Sequence, residues 1–223
     1  MITGWLGLVP VIAVVDWIAV WTENEKLNRF TKPATLIALM VWFSLTAGFS
    51  GKLLWFWLAL LFGLLGDVFL LLPKRFFFAG LLTFLLGHVA YIVGLWLNPA
   101  QFHFQHLLIA LAIICVLGVL APHILRGMRE KDFARKLRLP VIVYMLVISS
   151  MVFLAVSTLF RPDWRPQAAQ LAAAGGVLFF SSDTMLAYRE FVNPFPRARF
   201  WVRVTYHLAQ IALAAAAVLN FTH

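Results

Sequence analysis

The sequence predicts an all-α, polytopic membrane protein: one bundle of eight transmembrane helices using residues 1–223 as a single domain, with both termini on the non-cytoplasmic side. Three observations predict it. Of the 223 residues, 63% are hydrophobic and only 12% charged, whereas an ordinary soluble domain is about one quarter charged. The apolar residues fall into eight segments, and crossing the hydrocarbon layer takes about 20 mostly apolar residues. The basic residues gather in every second connection between those segments. The connections are short, which leaves no room for a soluble domain. Only helices satisfy their own backbone in lipid without closing into a barrel.

Span 1 covers 3–21, within an apolar stretch from Ile2 to Trp21 that has no positively charged leader and no small-residue cleavage site. It reads as a retained helix and not a signal peptide. Spans 2 and 3 cover 33–49 and 53–72; only FSGK separates them, and Gly48, Gly51 and Lys52 predict a tight hairpin there. Spans 4 to 8 cover 76–97, 105–125, 139–160, 167–188 and 201–220. Of the 18 Lys and Arg residues, 15 lie in the odd-numbered connections or, for Arg203, just past one at the start of span 8, and only Lys52, Arg161 and Arg165 lie in the even ones. The positive-inside rule puts the odd connections in the cytoplasm. The net charge of +9 follows from that asymmetry and from attraction to anionic headgroups, not from nucleic-acid binding. The expected surroundings are a lipid bilayer, the inner (plasma) membrane if the cell is bacterial. Cys115, the one cysteine, lies in an apolar run and excludes a disulfide framework.

Oriented this way, the intramembrane polar residues share one half of the bilayer. Asp67, in LLFGLLGDVFLLL, lies about five residues from the cytoplasmic end of span 3, and Asp183, in FFSSDTMLAY, lies at a similar depth in span 7. Span 4 carries His88 and Tyr91, span 8 carries Tyr206, His207 and Gln210, and span 6 carries Tyr144, Ser149 and Ser150. Lys32, before Pro33, starts span 2 at the same face. An ionisable side chain at membrane depth is costly unless it meets a partner or a wet cavity, so it marks a functional site by default. The competing reading for Asp67 and Asp183 is a structural ion pair, although no basic residue lies in the apolar middle of any span. Asp16, about one turn from Trp21, can reach the interface.

Small residues indicate which faces pack. Gly80, Gly87 and Gly94 recur every seven residues down span 4, a smooth strip where a neighbouring backbone can approach. Their spacing turns His88 and Tyr91 toward the bundle, and Gly63 with Gly66 and Gly175 with Gly176 do the same for spans 3 and 7. The histidines raise a metal reading. His103, His106, His123 and His223 fall at or near span ends on the outer side, which leaves His88 and His207 for the inner cavity. Zinc takes three or four ligands from one site, and no HxxxH or HExxH spacing occurs, so no metal ligand set is assigned.

An ordered set of motifs runs through these positions: KP opening span 2 (Lys32, Pro33), GD in span 3 (Gly66, Asp67), FxxGLxxFxxGHxxY through span 4 (Phe77, Gly80, Leu81, Phe84, Gly87, His88, Tyr91), SD in span 7 (Ser182, Asp183) and YxxxQ in span 8 (Tyr206, Gln210). Together they resemble the YhhN family, which includes the mammalian transmembrane lysoplasmalogenases. The resemblance covers nearly the whole chain and agrees with eight spans. It implies hydrolysis of the vinyl ether bond of a lysoplasmalogen, a lysophospholipid substrate, to a fatty aldehyde and glycerophospho-ethanolamine or -choline, with no required metal or other cofactor.

The residues suit that chemistry. Vinyl ether hydrolysis requires protonation of a carbon, giving an oxocarbenium ion that water captures. It needs a general acid and a nearby anion, the division of labour seen between glycosidase carboxylates. A carboxyl taken out of water favours its protonated form, and two nearby carboxylates push their protonation apart. Asp67 and Asp183 are expected to form such a pair, one as acid and the other as anion or water-activating base, with His88 the third catalytic candidate. Tyr91, Tyr206 and Gln210, with His88, would orient acid, water and ether oxygen, and Ser182 joins them at the substrate. Lys32, with Arg203, would hold the phosphate at the cytoplasmic interface. Paired membrane carboxylates also suit the proton relay of a small transporter, and a multi-span cavity of Asp, His and Ser also suits a zinc-dependent, ceramidase-like lipid amidase.

Overall fold

Apolar runs bounded by caps and turns become helices throughout the computed structural model, which describes residues 7–96 and 102–222. In chain order they are α1 (Leu8–Trp21), α2 (Glu25–Ala47), α3 (Lys52–Leu71), α4 (Phe77–Gly94), α5 (Phe104–Arg129), α6 (Arg138–Ser157), α7 (Pro166–Phe191) and α8 (Ala198–Phe221). Single helical turns at Lys74–Phe76, Asp132–Arg135 and Thr158–Phe160 lie between them. Among the described residues seven helices, α2 to α8, are long and apolar enough to cross a membrane. The chain is thus an integral, multi-pass membrane protein. The 14 described residues of α1 rise about 21 Å, short of a hydrocarbon layer of about 30 Å. Residues 3–6 of the expected first span, residue 97 of the fourth and His223 lie outside the described residues.

Two boundaries differ in ways that bear on function. α2 begins at Glu25, eight residues before the expected start at 33. The Asn24 side chain accepts the Leu27 N–H at 3.1 Å, and Glu25 complements the positive helix end. Lys32 and Pro33 therefore lie inside a helix, more than a turn deeper than an interfacial position. α5 runs unbroken to Arg129, so His123 stands with Arg126 and Arg129 at the basic end and not beside His103 and His106 at the other. At the α2–α3 hairpin Gly48 and Gly51 take φ of +70° and +55°, a region that side chains other than hydrogen disfavour.

α7 with α8, and α3 with α4, make the two most extensive pairings. Both are small-residue seams: a Cβ on Gly175 would stand 3.1 Å from the Ala209 carbonyl, and one on Gly87 would stand 3.3 Å from the Ala59 carbonyl. The opposite extreme is α5, which buries only His106, Ile124 and Met128.

Asp16 anchors α1. Its side chain is fully buried, accepting the Thr31 hydroxyl at 2.6 Å and Arg203 Nη1 at 2.7 Å, and Arg203 also donates to Asn28 Oδ1 at 3.2 Å. A charge buried without partners would cost several kcal/mol; this cluster satisfies it and joins α1, α2 and α8. Trp17 Nε1 donates to His207 Nδ1 at 3.2 Å beside it, so His207 faces α1 instead of the inner cavity.

Candidate active site

The helix ends that carry most of the basic residues surround a cavity of about 310 Å³. α2 contributes Asn28, Arg29 and Lys32 to its wall, α3 Asp67, α7 Ser182 and Asp183, and α8 Arg203 and Tyr206. Against it lies a narrow apolar cleft of about 60 Å³, between α4, α5, α6 and α7, lined by side chains such as Leu81, Leu120, Met145 and Phe180. Asp183 borders both spaces, as do Phe77 and Phe84. Tyr144 lines the cleft at the same point.

Each aspartate has its own partners. The Asp67 side chain is 2% exposed, and its Oδ1 lies 3.2 Å from Lys32 Nζ, itself 7% exposed. Asp67 Oδ2 is buried without a close hydrogen bond, and the Tyr206 hydroxyl faces the carboxyl. Asp183 is 12% exposed. Its Oδ2 accepts the Tyr144 hydroxyl and lies 3.1 Å from His88 Nε2, which is 2.9 Å from the Tyr144 oxygen. No hydrogen bond joins the two carboxylates to each other among the described residues.

A second polar chain stands behind the Asp67 side. Tyr91 donates its hydroxyl to Gln210 Oε1, and Gln210 Nε2 donates to the Tyr206 oxygen at 3.3 Å. Of the three, Tyr206 reaches the cavity wall. Phe179 separates this chain from the Asp183 cluster, its ring lying edge-on to His88 at 4.6 Å and to Tyr206 at 5.4 Å between centroids. The glycine strips permit these approaches, since a Cβ on Gly63 would come within 2.6 Å of Gln210 Nε2 and one on Gly66 within 2.6 Å of the Phe84 ring.

The structure therefore brings Asp67, Asp183, Lys32, Ser182, Arg203 and Tyr206 to one cavity and sets His88, Tyr91 and Gln210 behind it. Ser182 donates its hydroxyl to the Val202 carbonyl at 3.0 Å, which ties α7 to α8. Lys32 and Arg203, expected at a phosphate, each hold a buried carboxylate instead. Tyr144 was absent from the sequence-predicted site. Its signal was its rarity, one of four tyrosines in the chain, at the depth of the two aspartates. No three His, Cys, Asp or Glu side chains converge among the described residues, so the zinc amidase reading has no ligand cluster here.

A model of the YhhN family matches residues 27–217. The mouse (Mus musculus) protein named Lysoplasmalogenase TMEM86B is 30% identical over 191 residues, covering 85% of this chain and 74% of that protein. Its human (Homo sapiens) namesake is 27% identical over 214 residues, covering 93% and 84%. Human Lysoplasmalogenase TMEM86A is 31% identical over 163 residues, covering 71% and 63%. No solved structure matches the chain.

Proposed function

The chain belongs to the YhhN family, and from that premise we propose that it is a membrane-embedded ether hydrolase that cleaves the vinyl ether bond of a lysoplasmalogen. The products are a fatty aldehyde and glycerophospho-ethanolamine or -choline. One observation carries the reading: Asp183 stands where a polar cavity meets an apolar cleft. A lysoplasmalogen has the same division, a polar glycerophosphate and an apolar alkenyl chain, and its reactive bond lies at the boundary. The cleft is narrow, and α5, scarcely buried, is the wall that can move outward to admit the chain.

The reaction follows from that placement. The Asp183 carboxyl gives a proton to the β-carbon of the vinyl ether, and positive charge spreads over the α-carbon and the ether oxygen. Tyr144 and His88 hold Oδ2, which leaves Oδ1 to face the substrate. Water from the polar cavity adds to the α-carbon and passes a proton to a carboxylate. Asp67 suits that step, because Lys32 fixes one oxygen and leaves the other, beside the Tyr206 hydroxyl, to take the proton. The hemiacetal then collapses: its hydroxyl gives a proton to Asp183 and Asp67 gives the one it took to the leaving ether oxygen, so aldehyde and alcohol form, one water is consumed and both carboxyls return to their starting states. Asp67 and Asp183 are thus base and acid across one cavity, and His88 positions the acid. We also place the basic helix ends in the cytoplasm, count α1 as part of an eighth crossing, and treat the whole chain as one domain.

The test is aldehyde release from a lysoplasmalogen by the purified protein. Release by wild type with loss in both Asp67→Asn and Asp183→Asn supports the reading. No release from well-folded wild type rejects the substrate, and full activity in both variants rejects the mechanism.

A further inference from the structure

Six cations line the polar cavity, and four of them have a carboxylate at ion-pair distance. Lys32 holds Asp67, Arg203 holds Asp16 at 2.7 Å, Arg199 holds Glu25 at 2.6 Å, and Arg189 holds Glu190 at 2.6 Å. The remaining two are Arg29, on the first turns of α2, and Lys74, in the turn between α3 and α4. Neither has a carboxylate at that distance among the described residues.

Their position differs from that of Lys32. Arg29 and Lys74 are exposed at the rim, whereas Lys32 and Asp67 are buried within the wall. A charged phosphate must stay at the wet rim while the apolar chain lies deeper. Transferring it to Lys32 would need the buried ion pair to open, and a buried partner left alone is strongly unfavourable. A cation at the rim can meet an anion without breaking anything.

We propose that Arg29 and Lys74 form the subsite for the phosphate of a single-chain phospholipid whose chain enters the cleft beside Asp183. The proposal rests on the lysophospholipid reading above and changes which residues hold the headgroup. Arg29 supplies a planar fork that can grip two phosphate oxygens, and Lys74 supplies a point charge. The four paired cations set the shape of the site, and these two leave it with the positive excess that an anion needs. Arg29 and Lys74 are exposed while Asp67 is buried, so a phosphate held by them leaves the Lys32–Asp67 pair intact.

The test measures binding, not turnover, with a saturated 1-O-alkyl lysophosphatidylethanolamine, which has no vinyl ether to cleave, and with 1-O-alkylglycerol, which has no phosphate. Full-length protein in nanodiscs is compared as wild type, as Arg29→Gln with Lys74→Gln, and as Arg126→Gln, an exposed cation outside the cavity. In the double variant the Kd for the phospholipid should rise on the order of tenfold or more, since two charge-assisted contacts are lost. The Kd for alkylglycerol should not move, and Arg126→Gln should match wild type for both probes. An unchanged phospholipid Kd overturns the proposal, as does equal weakening of both probes. Inorganic phosphate is added as a competitor: displacement of the lipid at low millimolar concentration would make this a free-phosphate site and overturn the lipid assignment. Phosphate-dependent binding by a wild type that releases no aldehyde from a lysoplasmalogen would support the subsite and reject the hydrolase reading separately.

Discussion

Asp67 and Asp183 look alike in the sequence and differ in the structure. Each follows a small residue, Gly66 or Ser182, and each lies a turn or two from the basic end of its helix. Asp67 meets a cation, Lys32. Asp183 meets a phenol and an imidazole and keeps one face toward two cavities. The difference teaches that depth in the membrane makes a carboxylate costly, while the partner decides how it can be used. An ion pair anchors Asp67 and joins α2 to α3. Tyr144 and His88 hold Asp183 in place where the polar cavity meets the apolar cleft.

The largest effect should separate the two on rate. Asp183→Asn keeps a side chain of similar size but removes the proton donor, and the rate of aldehyde release should fall by about 10²–10⁴. Its thermal unfolding in detergent should change little, because Asn can still accept from Tyr144. If Asp67→Asn abolishes turnover while Asp183→Asn retains it, Asp183 is not the acid and the two-carboxylate assignment fails.

Stability should separate them in the other direction. Asp67→Asn leaves Lys32 buried without its counter-charge, and breaking such a pair costs about 3–5 kcal/mol. The double variant Asp67→Asn with Lys32→Gln replaces the pair by two neutral, polar groups of similar size. It should recover most of the lost unfolding temperature while remaining impaired in turnover. Equal unfolding temperatures for wild type, the single variant and the double variant would show that the pair does not stabilise the fold.

Tyr144→Phe tests the Asp183 cluster from its partner's side. The phenol is one of two groups meeting Oδ2, and an unmade buried hydrogen bond costs about 1–3 kcal/mol. If that loss falls on the transition state, kcat drops by about tenfold to a hundredfold with KM unchanged. A rise in KM alone would place Tyr144 on substrate binding.

Much of the fold was legible because a membrane span needs an apolar run, and α3 to α8 were outlined by theirs. The start of α2 was not, since NEKLNRFTK is polar; two turns of helix were hidden behind an N-cap and a basic face. That shift had a consequence for the site. With span 2 starting at 33, Lys32 read as an interfacial cation, and its burial against Asp67 could not be seen. The union of Tyr144, His88 and Asp183 from three helices was also beyond reach, because helical periodicity gives faces and not which faces meet. The aspartates were legible for the opposite reason: in a chain with nine acidic residues, a carboxylate inside a span stands out alone.

The smallest effect tests whether the chain Tyr91–Gln210–Tyr206 belongs to the chemistry of the Asp67 side or only to its packing. A Cβ on Gly63 would stand 2.6 Å from Gln210 Nε2 and 3.0 Å from the Tyr206 oxygen, while Gly118 on α5 has nothing within 4 Å. The groups that must yield at Gly63 are the ends of side chains, so Gly63→Ala should shift the hydrogen bonds without unfolding the helix pair. The expected result is a few-fold loss of aldehyde release with a stability change below about 1 kcal/mol, because overpacking is cheap where the neighbour can turn away. Gly118→Ala should leave the rate alone and gain up to about 1 kcal/mol from helix propensity. Since Phe179 stands between this chain and the Asp183 cluster, a wild-type rate in Gly63→Ala would assign the chain to packing and leave both aspartates with only their immediate partners.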